Sequence, residues 1–354
     1  FSANYYAQCT GCTVTNPVLS GNYTFASGST VCFTSNATLG DVTFQNNSKI
    51  CVAPGVTVTI QNNVTTTTGN NITFEIGGTL QFNQTPQINA NLTINVQESG
   101  ILRSGATGNN NFTFNGTTNT LTNNGTVQVS VLDFTNSSST NIVDNYGTLT
   151  IGSNTNIEGN TIFRNWQTIK IGQSFNMNSS TTFINCGTIN TGTGFNVGGG
   201  RIINTGNFNV STGGTTGSLD LPTGSRFENY GILDSRGATN NNDTTSIIYN
   251  EGLVKFNTYQ GNGWLKGPDS SSKKGFFETV NQMLINSSKV GPNLDFKRTP
   301  VSSTQATVFD STPTYVTSTG TTTTQAGANV TFDCRATANC SAPLVTNIGV
   351  CPNI

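Results

Sequence analysis

The chain has 354 residues, 15 Lys plus Arg against 16 Asp plus Glu, no histidine and a formal net charge of −1. So even a balance gives no electrostatic handle for nucleic acid or an anionic membrane, and composition alone excludes His-ligated zinc and histidine-dependent catalysis. Only 9% of residues are charged, yet 33% are hydrophobic and fall periodically, which argues for an ordered fold despite the abundance of Asn, Thr, Ser and Gly.

No apolar run approaches the ~20 residues that cross a bilayer, so no membrane insertion is expected. A start at Phe1-Ser-Ala-Asn, without an initiator Met or a signal-peptide pattern, reads as a processed product that is secreted, extracellular or at the cell surface. The clustered cysteines suit that oxidising exterior.

Residues 1–30 read as a disulfide-bearing N-terminal cap, because an uncovered solenoid end presents unpaired strand edges. They hold Cys9 and Cys12. Cys32 and Cys51 lie nearly one repeat apart, so stacking brings their Cα atoms to roughly 5 Å, within disulfide range. Cys9 with Cys12 is the default pairing, and Cys9–Cys32 with Cys12–Cys51 is the alternative; spacing does not choose between them.

Residues 31–258 predict an all-β fold, a parallel β-helix of roughly 20 residues and three short strands per coil. The signal is a phrase of Asn, any residue, usually Gly, then two apolar residues spaced by two. It occurs as Asn123-Asn-Gly-Thr-Val-Gln-Val, Asn145-Tyr-Gly-Thr-Leu-Thr-Ile, Asn165-Trp-Gln-Thr-Ile-Lys-Ile, Asn185-Cys-Gly-Thr-Ile, Asn204-Thr-Gly-Asn-Phe-Asn-Val, Asn229-Tyr-Gly-Ile-Leu and Asn250-Glu-Gly-Leu-Val-Lys-Phe. Its apolar members point inward at period two. Two residues before each Asn comes another apolar column, Leu121, Val143, Phe163, Phe183, Ile202, Phe227 and Ile248. Such strands bury their faces only by stacking, about 4.8 Å per coil. The Asn amide is then expected to bond its equivalent in the next coil, and the Gly to supply a positive φ at the bend.

The period fades after Tyr259. Residues 259–275 have a linker composition, and residues 276–354 read as a β-rich C-terminal module whose segment from Leu344, Val345 and Ile348 to Val350 is a candidate donor strand for a second copy. Phe276 to Ile285 fits a short amphipathic helix or a strand pair. Cys334, Cys340 and Cys351 are odd in number and Cys186 stands alone in the repeats, so Cys186 joins the tail, a tail cysteine pairs between molecules, or some thiols stay free.

A polysaccharide-cleaving β-helix enzyme needs converging carboxylates, or a Ca²⁺ site with a basic residue. The outward positions three and five residues after each Asn hold Thr126/Gln128, Thr148/Thr150, Thr168/Lys170, Thr188/Asn190, Asn207/Asn209, Ile232/Asp234 and Leu253/Lys255. No two acids stack there, and Asp234 and Glu158 read as single surface charges. No enzymatic activity, cofactor or metal is therefore expected. The Thr column invites an ice-binding reading, but a paired Thr-x-Thr row occurs once in this set, and β-propensity explains the threonines.

Asn-x-Ser/Thr sequons at Asn22, Asn36, Asn63, Asn71, Asn91, Asn111, Asn115, Asn124, Asn178, Asn209, Asn286 and Asn329 permit glycosylation. Thr244 and Ser311 follow aspartates in a pattern similar to bacterial O-glycosylation sites. Tyr146, Trp166 and Tyr230 share the second position of the phrase, where they offer a sugar-stacking ladder toward a surface polysaccharide.

The phrases at Asn145 and Asn185, with Cys9-Thr-Gly-Cys-Thr and Gly28-Ser-Thr-Val-Cys32, resemble the secreted, repeat-rich β-helix surface proteins of Bacteroidetes-type bacteria over residues 9–256. That resemblance implies adhesin-like or fibre-forming roles and assigns no residues. The leading expectation is a glycosylated extracellular structural protein that polymerises end to end with itself. A monomeric carbohydrate-binding adhesin is the alternative, with a polysaccharide-active enzyme or an ice-binding protein third.

Overall fold

The computed structural model describes residues 9–17, 21–270, 272–298, 308–317, 321–323 and 330–332. The chain divides into two compact units, residues 1–172 and 173–354, and each is a stack of parallel strands, coil upon coil. Among the described residues the one antiparallel pairing is Thr314–Val316 with Thr322–Thr323.

In the first unit, one sheet runs from Val14–Thr15 through Thr30–Phe33, Ser48–Val52, Asn71–Ile76, Asn91–Val96, Thr118–Asn123 and Thr140–Asn145 to Asn160–Asn165. A second runs from Ala37–Leu39 through Thr57–Ile60, Thr79–Phe82, Ile101–Ser104, Thr126–Val129 and Thr148–Ile151 to Thr168–Ile171. The third side is made of shorter strands such as Phe112–Phe114, Leu132–Phe134 and Thr155–Ile157. In the second unit the equivalent of the first sheet runs from Thr182–Asn185 through Arg201–Asn204, Arg226–Asn229, Ile247–Asn250, Trp264–Lys266 and Lys289–Val290 to Thr314–Val316.

Alternation of buried and outward residues fixes register, because a slip of one position would expose the whole apolar column. Leu121 pairs with Val143 and Val143 with Phe163 in the first unit; Phe183, Ile202 and Phe227 follow one another in the second. Aromatic rings stack along the core, Phe114 on Phe134 at 4.5 Å and Phe175 on Phe195 at 4.7 Å between centroids.

The repeated Asn is fully inside. Asn123 donates Nδ2 to Asn145 Oδ1 at 2.7 Å, and Asn145 does the same to Asn165 at 2.7 Å. The second unit continues the rule with Asn185 to Asn204 at 2.8 Å, Asn204 to Asn229 at 2.7 Å and Asn229 to Asn250 at 2.9 Å. Each amide also caps backbone carbonyls at the corner: Asn229 reaches Gly231 and Leu253, both at 3.1 Å. The ladder satisfies groups that would otherwise be buried and unpaired.

The glycine two residues on has a different role from the one expected. Gly147, Gly206, Gly231 and Gly252 are not among the positive-φ residues. They are required by close approach instead: a Cβ on Gly206 would lie 2.0 Å from the Gly187 carbonyl oxygen, and one on Gly231 would lie 2.2 Å from that of Gly206. Gln167 is the exception to the column.

The cap is fastened by Cys9–Cys51 and Cys12–Cys32, each with Cα atoms 5.7 Å apart, and neither expected pairing is found. Cys32 and Cys51 are register partners, so their Cβ atoms project in parallel at the strand spacing of about 4.8 Å, wider than the ~3.8 Å a disulfide prefers. Each sulfur turns outward to the N-terminal segment lying over the sheet. Cys186 is disulfide-bonded as well, which removes the reading of it as a free thiol; its partner lies outside the described residues, as do Cys334, Cys340 and Cys351.

Coil pairing continues beyond residue 258. Leu253–Gly261 pairs with Gly275–Thr279, which pairs with Leu294–Arg298 and then Val330–Phe332. The residues read as a linker thus carry Trp264–Lys266, and Phe276 to Ile285 forms strands Gly275–Thr279 and Leu284–Ile285. Residues 237–241, although rich in Gly and Asn, complete the strand Ile232–Asn241, whose register shifts between Ser235 and Ala238. Among the described residues no helix is long and apolar enough to cross a membrane.

Candidate functional site on the outer face

Because the ladder Asn and the residue two before it point inward, the residues one and three before it point outward. In the second unit these two outward columns collect charge and aromatic surface. Arg201 and Arg226 are register partners three positions before Asn204 and Asn229, and Glu228 and Tyr249 are register partners one position before Asn229 and Asn250. Trp264 and Lys266 continue the same rows.

Glu228 is 3% exposed, and both arginines close over it. Arg201 donates Nε to Oε1 at 2.7 Å and Nη2 to Oε2 at 3.0 Å; Arg226 donates its Nε to Oε1, and the Tyr230 hydroxyl reaches Oε2 at 3.4 Å. Burial alone would push the Glu228 carboxyl up, but the hydrogen bonds and charges of Arg201 and Arg226 outweigh it and hold the group below its ordinary value. Tyr249 bonds Glu251, which also accepts from Lys273 at 2.9 Å. Burial, then the Glu251 bond and charge, push the Tyr249 phenol strongly up, so it stays a neutral donor. Tyr230 and Tyr249 rings lie 5.6 Å apart, and the Lys266 ammonium sits 5.1 Å over the Trp264 ring.

The first unit carries a smaller analogue. Arg164 donates to Asp144, including Nη2 to Oδ2 at 2.9 Å, and lies 5.8 Å over the Trp166 ring, which stacks on Tyr146 at 4.3 Å and 12°. Of the three expected ladder residues, Tyr146 and Trp166 are thus brought face to face, each covering one side of the other. Tyr230 belongs to the other unit and leans on Tyr249. No continuous ladder of the three is formed within one unit.

On the second sheet of the first unit, outward Thr57, Thr79, Ile101, Thr126, Thr148 and Thr168 succeed one another, beside Thr59, Gln81, Arg103, Gln128, Thr150 and Lys170. Arg103 donates to Gln81 at 2.8 Å. Charged and amide groups therefore interrupt any flat hydroxyl plane. Asp234 pairs with Arg236 at 3.1 Å, and Glu158 is exposed.

The sequons differ in what their amides do. Asn63, Asn71, Asn91, Asn115 and Asn209 donate Nδ2 to a side chain of the preceding coil, and Asn124 donates to the Val96 carbonyl at 3.5 Å. Asn22, Asn36 and Asn178 are engaged through Oδ1, which leaves the nitrogen that a glycan would use. Asn111 and Asn286 are exposed, as are Thr244 and Ser311; Ser311 donates to the Ile285 carbonyl at 3.2 Å. Asn329 and the donor candidates Leu344, Val345, Ile348 and Val350 lie outside the described residues.

The sulfur atoms of Cys9, Cys32 and Cys51 lie within 4.8 Å of one another because two disulfides are adjacent, and sulfur in a disulfide is not the thiolate a metal takes. The Arg201, Arg226 and Glu228 group escapes a reading centred on the positions after each Asn. Its signal is present in the sequence as charge at one and three residues before Asn204 and Asn229. No protein-family profile, curated protein or solved structure matches the chain.

Proposed function

We propose that this chain is a secreted structural protein, the glycosylated subunit of a surface filament built end to end from its own copies. The stack itself supports the reading most directly: each coil bonds the next through parallel strands, so a coil of a second copy can continue the stack by the same pairing. An extended segment of a second copy, for which Leu344 to Val350 is the candidate, would continue the sheet by strand addition. Disulfides on both coils under the cap suit an oxidising exterior.

Sedimentation velocity over a concentration series tests this. The expected result is growth into long species, abolished in Val345→Lys, whose charge blocks strand addition by the candidate donor segment. Unchanged polymer in the variant would remove the donor segment from the account.

A further inference from the structure

We propose that the outer face of strands Arg201–Asn204, Arg226–Asn229, Ile247–Asn250 and Trp264–Lys266 binds an acidic polysaccharide, its carboxylates on Arg201 and Arg226 and its sugar rings against Tyr249 and Trp264. This goes beyond polymerisation and does not depend on it.

Three observations carry it. First, two guanidinium groups share one carboxylate, leaving an excess positive charge at a fixed place. Arg226 gives only Nε to Glu228, and Arg201 keeps Nη1 free of a partner among the described residues; their side chains are 48% and 47% exposed. Guanidinium forks held from behind lose little freedom on meeting a second carboxylate, which is what makes such sites bind.

Second, aromatic surface lies beside the forks in the same rows. Tyr249 is the register partner of Glu228, and Trp264 lies two coils on from Arg226 through Ile247. A pyranose ring presents C–H groups to such surfaces, and its hydroxyls can donate to the Tyr249 phenol oxygen, whose own hydrogen is held by Glu251. Lys266 and Lys273 add positive charge at the margin, partly offset by Asp269 and Glu251.

Third, the coil spacing of about 4.8 Å is close to the length of one sugar unit, so a polymer laid along the stack meets one coil per residue, guanidinium at Arg201 and Arg226 and aromatic surface at Tyr249 and Trp264. Several contacts along one polymer gain by multivalency what each weak contact lacks.

Retention of the full chain on immobilised polygalacturonate, with neutral dextran and polyglutamate as comparison polymers, tests the proposal. Wild type is expected to bind polygalacturonate in a salt-sensitive way and neither comparison polymer as tightly. Arg226→Gln leaves the two-bonded Arg201–Glu228 pair intact and should weaken binding about fivefold, and Arg201→Gln/Arg226→Gln about tenfold or more. Tyr249→Ala should cost about threefold, whereas Lys170→Gln on the other unit should change nothing. No wild-type retention, equal retention on polyglutamate, or undiminished retention by Arg226→Gln would overturn it. Should the double variant melt early, the single variant decides.

Discussion

In residues 1–172 the outward positions before each ladder Asn hold Thr120, Thr122, Ile142 and Ile162, with one ion pair, Asp144–Arg164. In residues 173–354 the same positions hold Thr182, Ile184, Arg201, Ile203, Arg226, Glu228, Ile247 and Tyr249. Inward, the two units are alike: both carry the Asn ladder, the apolar columns and stacked phenylalanines. One repeat therefore separates two tasks by the parity of the strand. Inward positions specify the coil, and outward positions are free to differ, so chemistry is to be sought where the units diverge.

The comparison predicts that inward changes cost more stability in either unit than outward changes do. Asn229→Ala has the largest expected effect. It removes amide bonds to Asn250, Gly231 and Leu253 and strands buried carbonyls, costing about 3–5 kcal/mol; urea unfolding measures it. A loss below about 1 kcal/mol, the net worth of one ordinary hydrogen bond, would mean the ladder is incidental. Next comes Cys12→Ser/Cys32→Ser, expected to cost about 3 kcal/mol, read by thermal melting.

Alkaline titration gives a smaller effect, largest in the second unit. Tyr259 is fully buried, and burial pushes its phenol up to about 12 despite bonds from Ser288 and Asn241; burial likewise takes Tyr315 to about 12. The folded state holds protons that the unfolded state releases above the ordinary value of 10.0. Stability from these groups is thus intact below pH 10 and lost as pH rises toward 12, which fluorescence-detected unfolding across that window will follow. Glu228 has the opposite sign: its lowered value means stability present above its ordinary 4.5 and lost as pH falls further. Smallest is Trp166→Ala, which loses an exposed stack on Tyr146 and should cost about 1 kcal/mol; a loss like that of Asn229→Ala would erase the inward-outward distinction.

Much of the fold is legible from periodicity, since Leu121, Val143 and Phe163 announce a column that only stacking can bury. The corner Asn is legible for the same reason: a polar residue repeated beside apolar neighbours needs a polar partner at the same register. What is illegible depends on distances between coils of unequal length. Arg201 and Glu228 lie 27 residues apart, longer than the average repeat, and meet only because both are counted back from their own Asn. Backbone approach is equally invisible, so the glycine column invites a φ argument when the cause is the carbonyl of the coil below. Cys32 and Cys51 are adjacent as expected, but parallel side-chain directions, which spacing does not reveal, send each to another partner. Beyond residue 258 the phrase decays while the pairing persists, since strand stacking needs alternation and not the Asn.

Negative-stain imaging of the native protein over a range of concentrations tests self-assembly most directly. Unbranched filaments that lengthen with concentration and are absent in Val345→Lys are the predicted result; dispersed single particles at every concentration would contradict it.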